Sequence, residues 1–160
     1  MTVSSSRRPD SIFDYQFEDT LKQVRYGTKA FFHAKPLPDS RDPGGISSAH
    51  LDAFAEIYCR LKARGIATFL FISPLSVRVL EAMCEREGDY QHLFRLREAL
   101  LARGIDVMDF TDPRTFASGD CEFFDGFHGG EVTYARMLRD MADRWPALLG
   151  YVNMDRINAT

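Results

Sequence analysis

This chain of 160 residues is poor in cysteine, in charge of one sign and in long apolar runs, and each shortage argues against a class of function. Its three cysteines, Cys59, Cys84 and Cys121, are odd in number, widely spaced and in no CxxC arrangement. Neither a disulfide framework nor a zinc site is indicated, and a reducing compartment fits best. A formal net charge of -3 and an isoelectric point near 5.8 give no basic footprint for nucleic acid or an anionic membrane surface. No run approaches the roughly 18 apolar residues of a membrane span. The start, residues 1–9, lacks the apolar core of a signal peptide. The expected location is cytoplasmic for the chain as written, and extracytoplasmic if it is a fragment of a longer precursor. His33, His50 and His92 have no ligand-like spacing to His128, so no metal and no other cofactor is expected.

What the sequence does contain is the composition of an ordinary globular protein, with 45% hydrophobic, 12% aromatic and 27% charged residues. Its length suits one domain. Residues 1–10 read as a flexible arm, and residues 11–46 as a weakly structured segment. In that segment a short helical pattern through Phe17, Leu21 and Val24 stops at Gly27. A loop over residues 35–45 follows, with three prolines and two glycines. The α/β core is expected over residues 47–160.

Ser47 or Ser48 can cap a helix with the apolar stripe Leu51, Phe54, Ala55, Tyr58 and Leu61, ending at Gly65. Residues 66–72 are apolar apart from Thr68, the pattern of a strand covered on both faces. Helices over about 75–86 and 89–103 lead to a second strand over 105–110. Both strands follow the same Ala-Arg-Gly-Ile junction, at Ala63 to Ile66 and Ala102 to Ile105. Strand, helices and strand in that order predict a parallel, right-handed crossover. A last amphipathic helix spans about 130–145, with Pro146 ending it.

Ligand sites in open parallel sheets lie beyond the carboxyl ends of the strands. That rule selects Ser73-Pro74-Leu75-Ser76 after the first strand, Asp109-Phe110-Thr111-Asp112 after the second, and Asp125 with His128 before the last helix. A carboxylate that holds one imidazole nitrogen leaves the other free to take a proton near neutral pH. Gly126, Gly129 and Gly130 allow a tight approach of the pair. The alternative is that Asp125 caps the helix and His128 is an ordinary first-turn residue. Asp109 competes with Asp125 as the histidine's partner, or bonds its own turn. Phe110, Phe116, Phe123, Phe124 and Phe127 are core residues in the favoured reading and pocket walls in the other. Asp109, Ser76 and Phe127 are the candidates to line a substrate pocket.

The order of a strand ending in Ser73-Pro74-Leu75, two helices, a strand ending in Asp109-Phe110, and then Phe124-Asp125-Gly126-Phe127-His128 resembles the C-terminal half of SGNH, or GDSL-like, hydrolases. It is nearest the bacterial branch of alginate O-acetylation proteins and the D-alanine transfer protein of teichoic acid synthesis. The resemblance covers roughly residues 47–145. It implies a three-layer α/β/α fold with a mainly parallel sheet, an incomplete version of the flavodoxin-like SGNH fold. It also implies that Asp125 and His128 are the Asp and His of a Ser-His-Asp triad.

The family's nucleophile follows the first strand in a glycine-rich block, and nothing before Ser47 matches that block. Ser4-Ser5-Ser6-Arg7 lacks its glycine and a preceding strand. Ser73 lies on the right sheet edge, as a pocket-lining residue first and a nucleophile second. The oxyanion-hole Gly and Asn have no identifiable match. The resemblance points to an ester hydrolase or O-acyltransferase acting on a small acyl ester or an acylated carbohydrate. The alternative is a truncated, non-catalytic interaction module, for which a homo-oligomer is expected. A metal-assisted hydrolase with Asp125 and His128 as ligands is the third and least favoured reading.

Overall fold

The computed structural model describes residues 12–26 and 46–159. The arm expected over residues 1–10 and the loop over 35–45 lie outside the described residues. Among the described residues six α-helices and two strands follow one another: α1 (Ile12–Tyr26), α2 (Ser48–Ala63), β1 (Phe71–Ile72), α3 (Val77–Cys84), α4 (Glu87–Leu101), β2 (Met108–Asp109), α5 (Glu131–Arg144) and α6 (Met154–Asn158). The chain is thus of the α/β class, mostly helical with a small parallel sheet.

Local chemistry accounts for the helix ends. The Ser47 hydroxyl caps α2 by accepting from the His50 amide at 3.4 Å, and Ser76 caps α3 by accepting from the Val79 amide at 3.4 Å. The repeated Ala-Arg-Gly-Ile junctions close as a pair of Schellman turns. Gly65 (φ +70) donates to Lys62 O and Ile66 to Leu61 O, and Gly104 (φ +72) donates to Leu101 O and Ile105 to Leu100 O. Both glycines occupy left-handed backbone, where a side chain would be strained.

The two strands pair in parallel register, Phe71 opposite Met108 and Ile72 opposite Asp109. Their ladder extends to Met108 N donating to Leu70 O at 3.0 Å and Phe110 N donating to Ile72 O at 3.1 Å. The strand expected over residues 66–72 is therefore short. With a ladder partner only at its carboxyl end among the described residues, its start is not covered and Ile66 is 47% exposed; within the ladder Phe71 is 44% exposed, whereas Ile72 is buried.

Alternate strand residues enter different cores, as the period of two requires. Ile72, Ile105 and Val107 pack with Leu51 and Tyr58 of α2 and Leu100 of α4. Phe110, Phe69 and Met108 pack with Phe116, Met137 and Met141 of α5. A third core joins Phe17, Leu21 and Val24 of α1 to Val79, Leu80 and Met83 of α3 and to Tyr90 and Phe123. Each fully buried aliphatic side chain in it stabilises the fold by about 1.5–3 kcal/mol. The Arg86 guanidinium adds a polar tie, since Nη1 donates to the carbonyls of Val24 and Arg25, each at 2.9 Å, while Asp89 holds its other side. The helical residues of the 11–46 segment thus belong to the same body as α3 and α4.

Candidate active site

Three segments meet beyond the carboxyl ends of the strands. Leu75 N donates to Thr111 O at 3.1 Å, tying the loop after β1 to the loop after β2, and Ser76 N donates to Gly126 O at 2.9 Å, tying it to the loop before α5. That last loop turns back on itself. Phe123 and Gly129 form an antiparallel bridge, and Phe124 N donates to His128 O at 2.9 Å. The tip is drawn against α3. A Cβ on Gly126 would lie 2.6 Å from Val79 Cγ2, so no larger residue fits there without movement.

Asp125 organises this loop. Its Oδ1 accepts from the amides of Phe127 at 3.0 Å and His128 at 2.9 Å, and its Oδ2 lies 2.7 Å from His128 Nδ1. Burial acts to raise the Asp125 carboxyl pKa, but the His128 side-chain bond and the two amides outweigh it and the net shift is downward. An ionised carboxylate only accepts, so Nδ1 carries the proton and Nε2 of the neutral ring carries the lone pair. The Asp125 side chain is 27% exposed and that of His128 74%. The imidazole is fixed on one nitrogen and open to solvent on the rest of its ring. This arrangement can accept a proton from a hydroxyl or water brought to Nε2.

Asp125 does not cap α5, as one sequence reading had it. The helix starts at Glu131 with Gly130 as its cap and no side-chain cap bond, and His128 precedes the helix.

The other candidates are placed differently. Ser73 is exposed at the end of β1, and among the described residues no serine hydroxyl is hydrogen-bonded to His128. Asp109 is exposed at the end of β2, and its Oδ1 accepts from Thr111 N at 2.9 Å, bonding its own turn. Ser76 adjoins the Asp125 loop but is fully buried as the cap of α3, so its hydroxyl does not line an open pocket. Phe127 is half-buried against the α1 and α3 core. Phe110, Phe116 and Phe123 are buried in the cores, while Phe124 is exposed. Ser4 to Ser6 and His33 lie outside the described residues.

Sequence reasoning passed over the polar residues that hold the base of the loop. Thr133 on α5 is fully buried, and its Oγ1 lies 3.0 Å from Ser118 Oγ and 3.2 Å from Glu122 O. Ser118 donates to the Glu122 carboxylate, which also pairs with Arg136 at 3.0 Å. The Gly129-Gly130 doublet was the one available signal, because a Cβ on Gly129 would lie 2.7 Å from Thr133 Cγ2.

A cleft of about 750 Å³ opens beside β2, between Leu80, Phe94, Asp109, Asp112 and Arg114, and neither Asp125 nor His128 lines it. The carboxylate-bound imidazole marks the Asp125 loop instead. Cys84 is exposed at the cleft wall, and partial desolvation, with Glu87 nearby, pushes its thiol pKa up, which disfavours the thiolate. Among the described residues no three His, Cys, Asp or Glu side chains gather in a metal-binding set, and no helix is long and apolar enough to cross a membrane. No family model, curated protein or solved structure matches the chain.

Proposed function

We propose that the chain is an SGNH-like ester hydrolase or O-acyltransferase-type domain, built on a three-layer α/β/α half-fold, with His128 as general base and Asp125 as its orienter. The observation that carries this reading is the 2.7 Å bond between Asp125 Oδ2 and His128 Nδ1, with the same carboxylate anchored by two amides and Nε2 left open. The stitching of that loop to the segments after β1 and β2 supports it, since ligands of parallel sheets gather at that edge.

In the proposed reaction a serine Oγ attacks the ester carbonyl while its proton passes to His128 Nε2. The tetrahedral intermediate collapses to an acyl-serine, and the same proton goes to the departing alkoxide. Water then attacks the acyl group in a hydrolase, or a carbohydrate hydroxyl in a transferase, and returns the serine. Ser73 is the described serine at the appropriate sheet edge.

The test is turnover of a short-chain p-nitrophenyl ester. His128→Ala should lower it by at least about a hundredfold, the usual contribution of a positioned base. Equal activity in the variant would overturn the proposal. Labelling with a fluorophosphonate, followed by mapping of the modified peptide, identifies the serine.

A second reading is a non-catalytic interaction module. It draws on features of the described residues: no serine is bonded to His128, Ile66 ahead of β1 and Phe71 within it are exposed, and β1 is paired on one edge. Self-association follows from it, and a monodisperse monomer by light scattering counts against it.

A further inference from the structure

The buried polar chain under the Asp125 loop takes no part in the proton transfers above. Its geometry has a direction. Each hydroxyl owns one proton, and that of Ser118 goes to the Glu122 carboxylate. Ser118 Oγ can then only accept from Thr133, whose proton is shared between Ser118 and the Glu122 carbonyl. Arg136 balances the carboxylate and also donates to the carbonyl of Ala117. Ala117 is the one non-glycine residue with positive φ among the described residues, at 58°. The whole chain is therefore satisfied, and a satisfied buried network rigidifies what it holds.

What it holds is the base of the loop. The Glu122 carbonyl, bonded by Thr133, also receives the Gly130 amide at 2.6 Å, the bond that closes the loop beside the Phe123 and Gly129 bridge. The methyl of the same threonine fills the space beneath Gly129. One side chain thus grips the loop twice, once through a hydroxyl and once through a methyl group. His128 is adjacent to Gly129, and its own carbonyl is bonded across the same narrow loop.

We propose that Thr133, acting with Ser118, Glu122 and Arg136, is a positioning residue that sets the geometry of the Asp125 and His128 pair; in its kinetic part the proposal rests on the reading of that pair as catalytic. Thr133→Val keeps the branched shape and deletes the hydroxyl. The Glu122 carbonyl then keeps only the Gly130 amide, the base of the loop loosens, and the Asp125 to His128 bond lengthens.

The experiment follows the Asp125 carboxyl by NMR titration and ester turnover in parallel, in the full chain. For Thr133→Val the carboxyl should titrate higher by about half a pH unit, and kcat should fall about tenfold with KM unchanged, the cost of a small misplacement. Thr133→Ser, which retains the hydroxyl but not the methyl, should restore most of both. Ser118→Ala cuts the chain from its other end and should reproduce the titration change, which covers the case of an unfolded Thr133→Val. An unmoved Asp125 titration in the folded variants overturns the proposal, whatever the activity. If the titration moves but the wild-type protein turns over no ester, the positioning role stands and the catalytic reading fails.

Discussion

The two helix-to-strand junctions share the sequence Ala-Arg-Gly-Ile and the same Schellman hydrogen bonds, yet their isoleucines have opposite fates. Ile105 is 1% exposed, packed with Leu100 and Tyr58, whereas Ile66 is 47% exposed. The turn is a local matter, decided by a glycine that can take positive φ and by carbonyls in the preceding helical turn. Burial is a matter of neighbours. β2 delivers its junction into the space between α2 and α4, while the chain leaving Gly65 runs for several residues before its first ladder bond at Leu70.

The largest effect expected from this contrast is on the isoleucines. Ile105→Ala should destabilise the fold by about 3 kcal/mol, through lost transfer energy and a cavity, and Ile66→Ala by less than about 0.5 kcal/mol. Urea unfolding of the two variants measures both. A cost at Ile66 close to that at Ile105 would mean that another surface covers it.

The glycines should behave alike. A Cβ on Gly65 or Gly104 meets no atom within 4 Å, so each change to Ala carries only backbone strain, about 1 kcal/mol. Unequal midpoint shifts for Gly65→Ala and Gly104→Ala would break the claim that the turn is locally determined.

The smallest effect tests whether the Asp125 loop also depends on local groups. The bonds that lower the Asp125 pKa come from Phe127 and His128 within its own turn. A carboxyl whose folded pKa is depressed binds fewer protons in the folded state than in the unfolded one. Its stabilisation is full above the unfolded pKa near 3.9 and is lost as pH falls through the folded value. The stability difference between wild type and Asp125→Asn should therefore shrink as pH drops below about 4. A difference that stays constant from pH 6 to pH 2.5 would contradict the assignment.

The parts of the fold that depend on short-range pattern were legible in the sequence. Ser47 caps α2, the two glycines close their helices, and the Asp125 to His128 spacing brings the pair together as one turn allows. The parts set by partners distant in the chain were not. A run such as residues 66–72 announces strand propensity but not how many neighbours will pair with it, and here only its carboxyl end joins a ladder. Ser76 and Ser73 look alike in sequence, yet one is enclosed under Gly126 and the other open. The chain from Thr133 to Ser118 and Glu122 joins residues 4 to 15 positions apart through single hydroxyls, which leaves no periodic trace to read.

Arg86 has a bearing on the order in which the molecule assembles. A helix of 15 residues is marginal alone in water, and its last carbonyls lack partners. Those of Val24 and Arg25 are met by a guanidinium more than 60 positions later in the chain, whose positive charge also suits a helix carboxyl end. The anchor for α1 exists only once the corner between α3 and α4 has formed. A synthetic peptide of residues 12–26 should be largely unstructured by circular dichroism. In the whole chain, this helix depends on a segment more than 60 positions later to hold its carboxyl end.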